Sequence, residues 1–198
     1  MPDAGDIALF IRGLSDARSE KRCVAAAALF EKGRETIEPI LQAWLASTAL
    51  SDLIEGAASG KPKLTVGIAV QPGTFDGIRA ASESPRLADV PPDQDAREFE
   101  LDFPGGVHLD ILTTHDPGGA GAIAKYLQKF GEGIQQVEIS VKNVDRATEI
   151  LRSQFALQPI YPATRPGADG TRVNFFLAAA PDGKKALIEL VEKAPLTS

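Results

Sequence analysis

The sequence predicts an α+β fold, a short helical segment followed by two tandem βαβββ modules. Three observations carry this prediction. Apolar residues recur at helical spacing up to residue 58, and beyond Ser59-Gly60-Lys61-Pro62 they alternate instead. The alternating pattern starts twice, at Leu64 and again near Gly133. Each start is followed by the same series of helix, turn and strand signals. The expected organisation is a helical segment over 1–60 and a second domain over 63–193, with modules at about 63–116 and 133–193.

In the helical segment, Ile7, Leu9, Phe10, Ile11 and Leu14 form one apolar face, and Ser15 to Arg18 make a turn. Arg22 to Phe30 is Ala-rich at helical spacing, and Ile37 to Leu50 continues with Trp44 and Leu45 inside. Gly33 reads as a break and Pro39 as a residue near a helix start, so short antiparallel helices are expected. The stretch IRGLSDARSEKRCVAAAALFEKGRETIEPILQAW resembles one HEAT-type helical repeat. Such a unit cannot bury its stripe alone. It caps the rest of the chain, or it meets a second copy or a protein partner.

In the first module Leu64, Val66, Ile68 and Val70 point one way and Thr65, Gly67 and Ala69 the other. Pro72-Gly73 ends that strand, and a helix is expected over Thr74–Ala81. Arg86 to Ala96, rich in Pro and Asp, reads as a loop. Glu98–Phe103 and Val107–Leu112 are strands about the turn Pro104-Gly105-Gly106, and Ile123–Phe130 is a helix beyond Pro117-Gly118-Gly119. In the second module Val137, Ile139 and Val141 alternate with Gln136, Glu138 and Ser140. Asn143 is a good N-cap for a helix carrying Val144, Ala147, Ile150 and Leu151. Strands near Leu157–Tyr161, Arg172–Ala178 and Ala186–Val191 complete it, with turns at Pro162–Gly170 and Pro181-Asp182-Gly183. In this duplication Val70 corresponds to Val141 and Asp110 to Glu189.

The 198 residues are 43% hydrophobic and 24% charged, enough apolar content for a core. A net charge of −6 argues against general binding to nucleic acid or an anionic membrane. Cys23 stands alone, so no internal disulfide forms, as expected in a reducing compartment. No apolar run approaches the roughly 18–20 residues of a membrane span. Nor does the start carry a basic region followed by an apolar one, so a cytoplasmic location is expected.

Three segments together resemble the vicinal oxygen chelate (glyoxalase/bleomycin-resistance) superfamily, and within it most of all the methylmalonyl-CoA epimerases. They are Ile123-Ala124-Lys125-Tyr126-Leu127-Gln128-Lys129 with Gly131-Glu132-Gly133-Ile134-Gln135-Gln136-Val137, then Arg165-Pro166-Gly167-Ala168-Asp169-Gly170-Thr171-Arg172-Val173-Asn174-Phe175, then Ala186 to Glu192. The resemblance covers roughly residues 63–193 and is specific in the second module. It implies a cup-shaped sheet with a divalent metal on its concave face, bound from the first and last strand of each module. The implied ligand positions hold Thr65, Asp110, Gln136 and Glu189.

Those residues depart from the family's pattern, which has histidines where Thr65 and Gln136 stand. Imidazole suits Zn, Co or Ni, and a Thr hydroxyl is a poor ligand. Asp110, Gln136 and Glu189 form an oxygen set closer to Mg or Mn. His108, two residues before Asp110 and about 7 Å from it on one strand face, is a candidate for the missing imidazole. The expected cofactor is a divalent metal (Mg, Mn or Co) or none.

The resemblance implies epimerase- or lyase-like chemistry, with an enolate stabilised by metal while carboxylates move a proton. Glu189 is either a ligand or a proton-transfer acid, because Leu187 and Val191 flank it on its own face. Asp89, in Asp89-Val90-Pro91, sits where the family has a catalytic carboxylate, and also reads as a plain loop residue. Thr65, Glu138 and Ser140 would line the pocket around a small-molecule ligand. Two other readings stay open: a metal-free small-molecule binding protein of this fold, and a scaffold that uses its N-terminal helices.

Overall fold

A computed structural model describes residues 4–179, 183 and 185–193. The expected turn at Pro181-Asp182 lies outside the described residues. The chain folds as two compact units, one formed by residues 1–33 and 65–135, the other by residues 34–64 and 136–198. Both units contain helices and strands, and the α+β prediction holds.

Helix α1 spans Ala4–Gly13 and α2 spans Ser19–Leu45. The expected break does not occur: α2 runs through Gly33 and Pro39 as one helix of 27 residues. Gly33 serves close approach instead, since a Cβ there would lie 2.6 Å from both methyl carbons of Val66. The short antiparallel helices expected on either side of Gly33 are therefore one continuous helix. The Ala-rich stripe is buried at Ala25, Ala26 and Leu29.

In the first unit, β1 (Leu64–Ala69) runs parallel to β3 (Val107–Thr113), and β2 (Arg97–Phe103) pairs antiparallel with β3. The Pro104-Gly105-Gly106 turn joins β2 to β3 as predicted. Helix α4 follows Gln71 over Pro72–Ala81, so Pro72-Gly73 ends the strand as expected and also opens the helix, two residues before Thr74. (The short helix α3, Thr48–Ser51, precedes β1.) Phe75 of α4 meets Phe99 edge-on at 4.8 Å, on the face that buries Val66, Ile68, Leu109 and Ile111. Each such side chain contributes roughly 1.5–3 kcal/mol of transfer free energy.

Helix α5 (Ala122–Phe130) lies on the opposite face, where Ile123 and Leu127 pack on Ala69 and Leu112. The βαβββ plan has three strands after its helix, whereas the reading of Arg86 to Ala96 as a loop leaves this module with two. Residues 82–91 form no strand, although the Ala88 N–H donates to the Glu98 carbonyl at 3.0 Å. Pro85 and Pro91 lack the N–H groups that a ladder needs.

In the second unit, β4 (Gly133–Ser140) is parallel to β7 (Lys185–Glu192), β6 (Arg172–Ala179) is antiparallel to β7, and β5 (Arg165–Pro166) is antiparallel to β6. Helix α6 (Val144–Gln154) packs on β6 and β7. Asn143 caps it as predicted, its side-chain oxygen accepting from the Arg146 N–H at 2.8 Å. The strand expected near Leu157–Tyr161 contracts to a bridge between Pro159 and Phe176 and an Ile160 N–H bond to the Phe175 carbonyl. Pro159 lies inside that stretch and Pro162 follows it, and neither can donate to a ladder. From β5 to β6 the chain turns tightly at Gly167, where a Cβ would come within 2.7 Å of Val173.

Candidate active site

Alternation along β4 places Gln136, Glu138 and Ser140 on one face of the second half-sheet. Register carries that face across to β7 and β6, where Glu138 lies beside Glu189 and Glu189 lies opposite Phe175. Gln136 and Glu189 are each 8% exposed. The Gln136 amide donates from Nε2 to Glu189 Oε2 at 2.6 Å, and the same nitrogen stands 3.4 Å from Glu138 Oε1. One neutral amide thus sits between carboxylates on adjacent strands. Its short bond to Glu189 is charge-assisted, and this arrangement offsets the repulsion that like charges side by side would cause.

Ser140 ends this strand. Its backbone N–H donates to the Lys63 carbonyl and its carbonyl accepts from Glu55, which ties β4 to the segment before β1.

Aromatic residues extend the face beyond Glu189. The Phe175 ring meets Tyr161 in a T-shaped contact at 6.0 Å between centroids. The Arg165 guanidinium lies 4.5 Å above the Tyr161 ring. A carboxylate, an amide, two aromatic rings and a guanidinium therefore belong to one unit.

In the first unit, the face opposite α4 carries Thr65 on β1, with His108 and Asp110 on β3. Asp110 is 5% exposed and lies in register with Gly67. His108 pairs directly with Asp102 on β2, Nδ1 to Oδ1 at 2.6 Å. The structure thus brings Gln136, Glu138 and Glu189 together, and sets Thr65, His108 and Asp110 on one face of the other unit. Asp89 is exposed on the irregular stretch between α4 and β2.

As folded, the pair at two implied ligand positions does not fit a divalent cation. Gln136 turns its amide –NH2 toward Glu189, and that nitrogen is a hydrogen-bond donor, not a ligand. Neither of these positions holds the imidazole that Zn, Co or Ni would favour. Among the described residues, no three or more His, Cys, Asp or Glu side chains are grouped to hold a metal ion.

Solved structures resemble the chain over most of their length. Methylmalonyl-CoA epimerase from Mycobacterium tuberculosis is 30% identical with a TM-score of 0.56, over 75% of this chain and 93% of that one. The chain belongs to the vicinal oxygen chelate superfamily. A variant of Streptomyces coelicolor methylmalonyl-CoA epimerase, in complex with 2-nitronate-propionyl-CoA, matches at 26% identity and a TM-score of 0.53, over 66% of this chain and 96% of that one. A hypothetical protein from Bacillus halodurans C-125 matches at 26% and 0.55, over 68% and 95%. No protein-family model and no curated protein matches. Like these superfamily structures the chain mixes strands and helices, and among its described residues no helix is long and apolar enough to cross a membrane.

Sequence reading missed Asp102, Phe175, Tyr161 and Arg165 as members of these faces. Asp102 was within reach, because a hairpin turning at Pro104-Gly105-Gly106 and pairing Phe103 with Val107 sets Asp102 against His108. Phe175 needed the β6–β7 register, and no local pattern supplies it.

Proposed function

We propose that this protein is an epimerase-like enzyme of the superfamily that moves the proton α to the carbonyl of a small acyl thioester. Glu189 takes and returns that proton, and Gln136 holds the carboxylate in place. The observation that carries this reading is the buried 2.6 Å bond between Gln136 and Glu189. The solved relatives described as methylmalonyl-CoA epimerases, one in complex with methylmalonyl-CoA and another with 2-nitronate-propionyl-CoA, support it from outside the chain.

Two requirements follow from the chemistry. A base must reach the α-carbon, and a donor must hold the negative charge that develops on the carbonyl oxygen. Glu189 meets the first. For the second, Gln136 has an N–H that stands 3.4 Å from Glu138, a long bond that can be given up to an enolate oxygen. As the proton leaves the α-carbon for Glu189, its electron pair moves onto that oxygen. Return of a proton to the same face restores the starting configuration with solvent exchange, and delivery to the opposite face, once the planar enolate turns over against Glu189, inverts it. This scheme draws on the chain's own amide and carboxylate.

The test is solvent exchange. The protein, treated with chelator, is incubated with a panel of acyl-CoA thioesters in D2O, and mass spectrometry reads deuterium at the α-carbon. Uptake from at least one thioester is expected, surviving chelation. Binding without uptake across the panel would overturn the enzyme reading and leave a binding protein.

A further inference from the structure

We infer that the Gln136 amide holds the place of a divalent cation beside Glu189, so that the second unit takes no such cation there and residue 136 decides it. The inference shares its residues with the proton-transfer reading, and its test reads cation binding without turnover.

Glu138 on β4 and Glu189 on β7 stand side by side in the parallel register, and Glu189 is buried. Two such carboxylates repel. A folded protein offsets that cost with a cation, a proton or hydrogen-bond donors. Here an amide supplies donors. Gln136 Nε2 lies 2.6 Å from Glu189 Oε2 and 3.4 Å from Glu138 Oε1. An amide –NH2 carries two N–H donors and no acceptor, so one nitrogen serves both carboxylates.

The orientation of the amide decides the matter. A cation held by Glu138 and Glu189 would draw the amide carbonyl oxygen inward, because hard divalent cations take oxygen ligands. Without a cation that oxygen would lie against carboxylate oxygens, and only the –NH2 end is tolerated. Cation and –NH2 therefore exclude each other at this spot. Residue 136 also keeps the face one ligand short. Among the described residues no three His, Cys, Asp or Glu side chains are grouped to hold a metal ion, and Glu138 with Glu189 supplies two carboxylates. A third carboxylate at position 136 would complete an oxygen set suited to Mg or Mn.

The test is thermal unfolding and calorimetric titration of metal-stripped protein with Mg, Mn, Co and Zn. Saturating cation is expected to move the wild-type midpoint by less than about 1 °C. Gln136→Glu exchanges the –NH2 for an oxygen of nearly the same shape. It is expected to melt below wild type in chelator and to gain about 5 °C or more from saturating Mn. Adding Glu189→Gln to that variant is expected to abolish the gain, which separates this site from carboxylates elsewhere on the surface. Gln136→His brings an imidazole and no new negative charge, and is expected to gain binding of Co or Zn. It carries the test if the glutamate variant does not fold. Stoichiometric binding of any of the four cations by wild type, lost in Glu189→Gln, overturns the inference. So does a folded Gln136→Glu or Gln136→His protein that gains no cation. Cation binding and deuterium exchange are separate readouts, so the failure of either is assigned to its own reading.

Discussion

Gly33 lies in the middle of α2 with its Cα against Val66 of β1, so close that a Cβ would sit 2.6 Å from both valine methyl carbons. Val66 is fully buried. The glycine lets a long helix approach the sheet backbone, a use of Gly unrelated to ending a helix.

Gly33→Ala tests this contact through the sign of its effect. Helix propensity alone would stabilise alanine by about 1 kcal/mol. Overpacking against Val66 costs about 1–3 kcal/mol, so a net loss is expected in urea denaturation. Combining it with Val66→Ala should give less than the sum of the two losses, because the shortened side chain makes room. A stabilised Gly33→Ala protein would contradict the close approach.

The same position shows where the sequence was legible. Alternation at Leu64–Val70 and at Val137–Val141, the hairpin turn at Pro104-Gly105-Gly106 and the Asn143 cap are local signals, and each appears in the structure where local physics places it. Gly33 and Pro39 misled because long-range packing decided their conformation. Pro39 lies inside α2, and the tertiary burial of Ile37, Leu41 and Trp44 holds the helix together around it. The candidate site divides similarly. Gln136, Glu138 and Glu189 were found from strand pattern and resemblance. Their mutual hydrogen bonds, and the Phe175–Tyr161–Arg165 stack, depend on register and loop path that period alone does not fix.

Asp145 at the start of α6 gives a pH test. It accepts from Thr164 and, at 2.5 Å, from Arg172 Nη2, and these bonds hold its carboxyl below the ordinary 3.8. A carboxyl with a depressed folded-state value adds stability above 3.8 and loses it as pH falls through the folded value. The pair is well exposed, so the gain at neutral pH is about 0.2–1 kcal/mol. Asp145→Asn should therefore unfold earlier than wild type at pH 7. The two denaturation curves should converge as the pH drops below 3.8. A gap that persists at low pH would mean that the ion pair is not its source.

Glu189→Gln tests the account's central claim most directly. The variant keeps the shape of the side chain and removes the base, so α-deuterium exchange should fall by about two to four orders of magnitude. Thioester binding and thermal stability should stay close to wild type. Gln136→Leu, which releases the carboxylate from its 2.6 Å bond, should slow exchange less. Wild-type exchange rates in Glu189→Gln would contradict the claim that this carboxylate moves the proton.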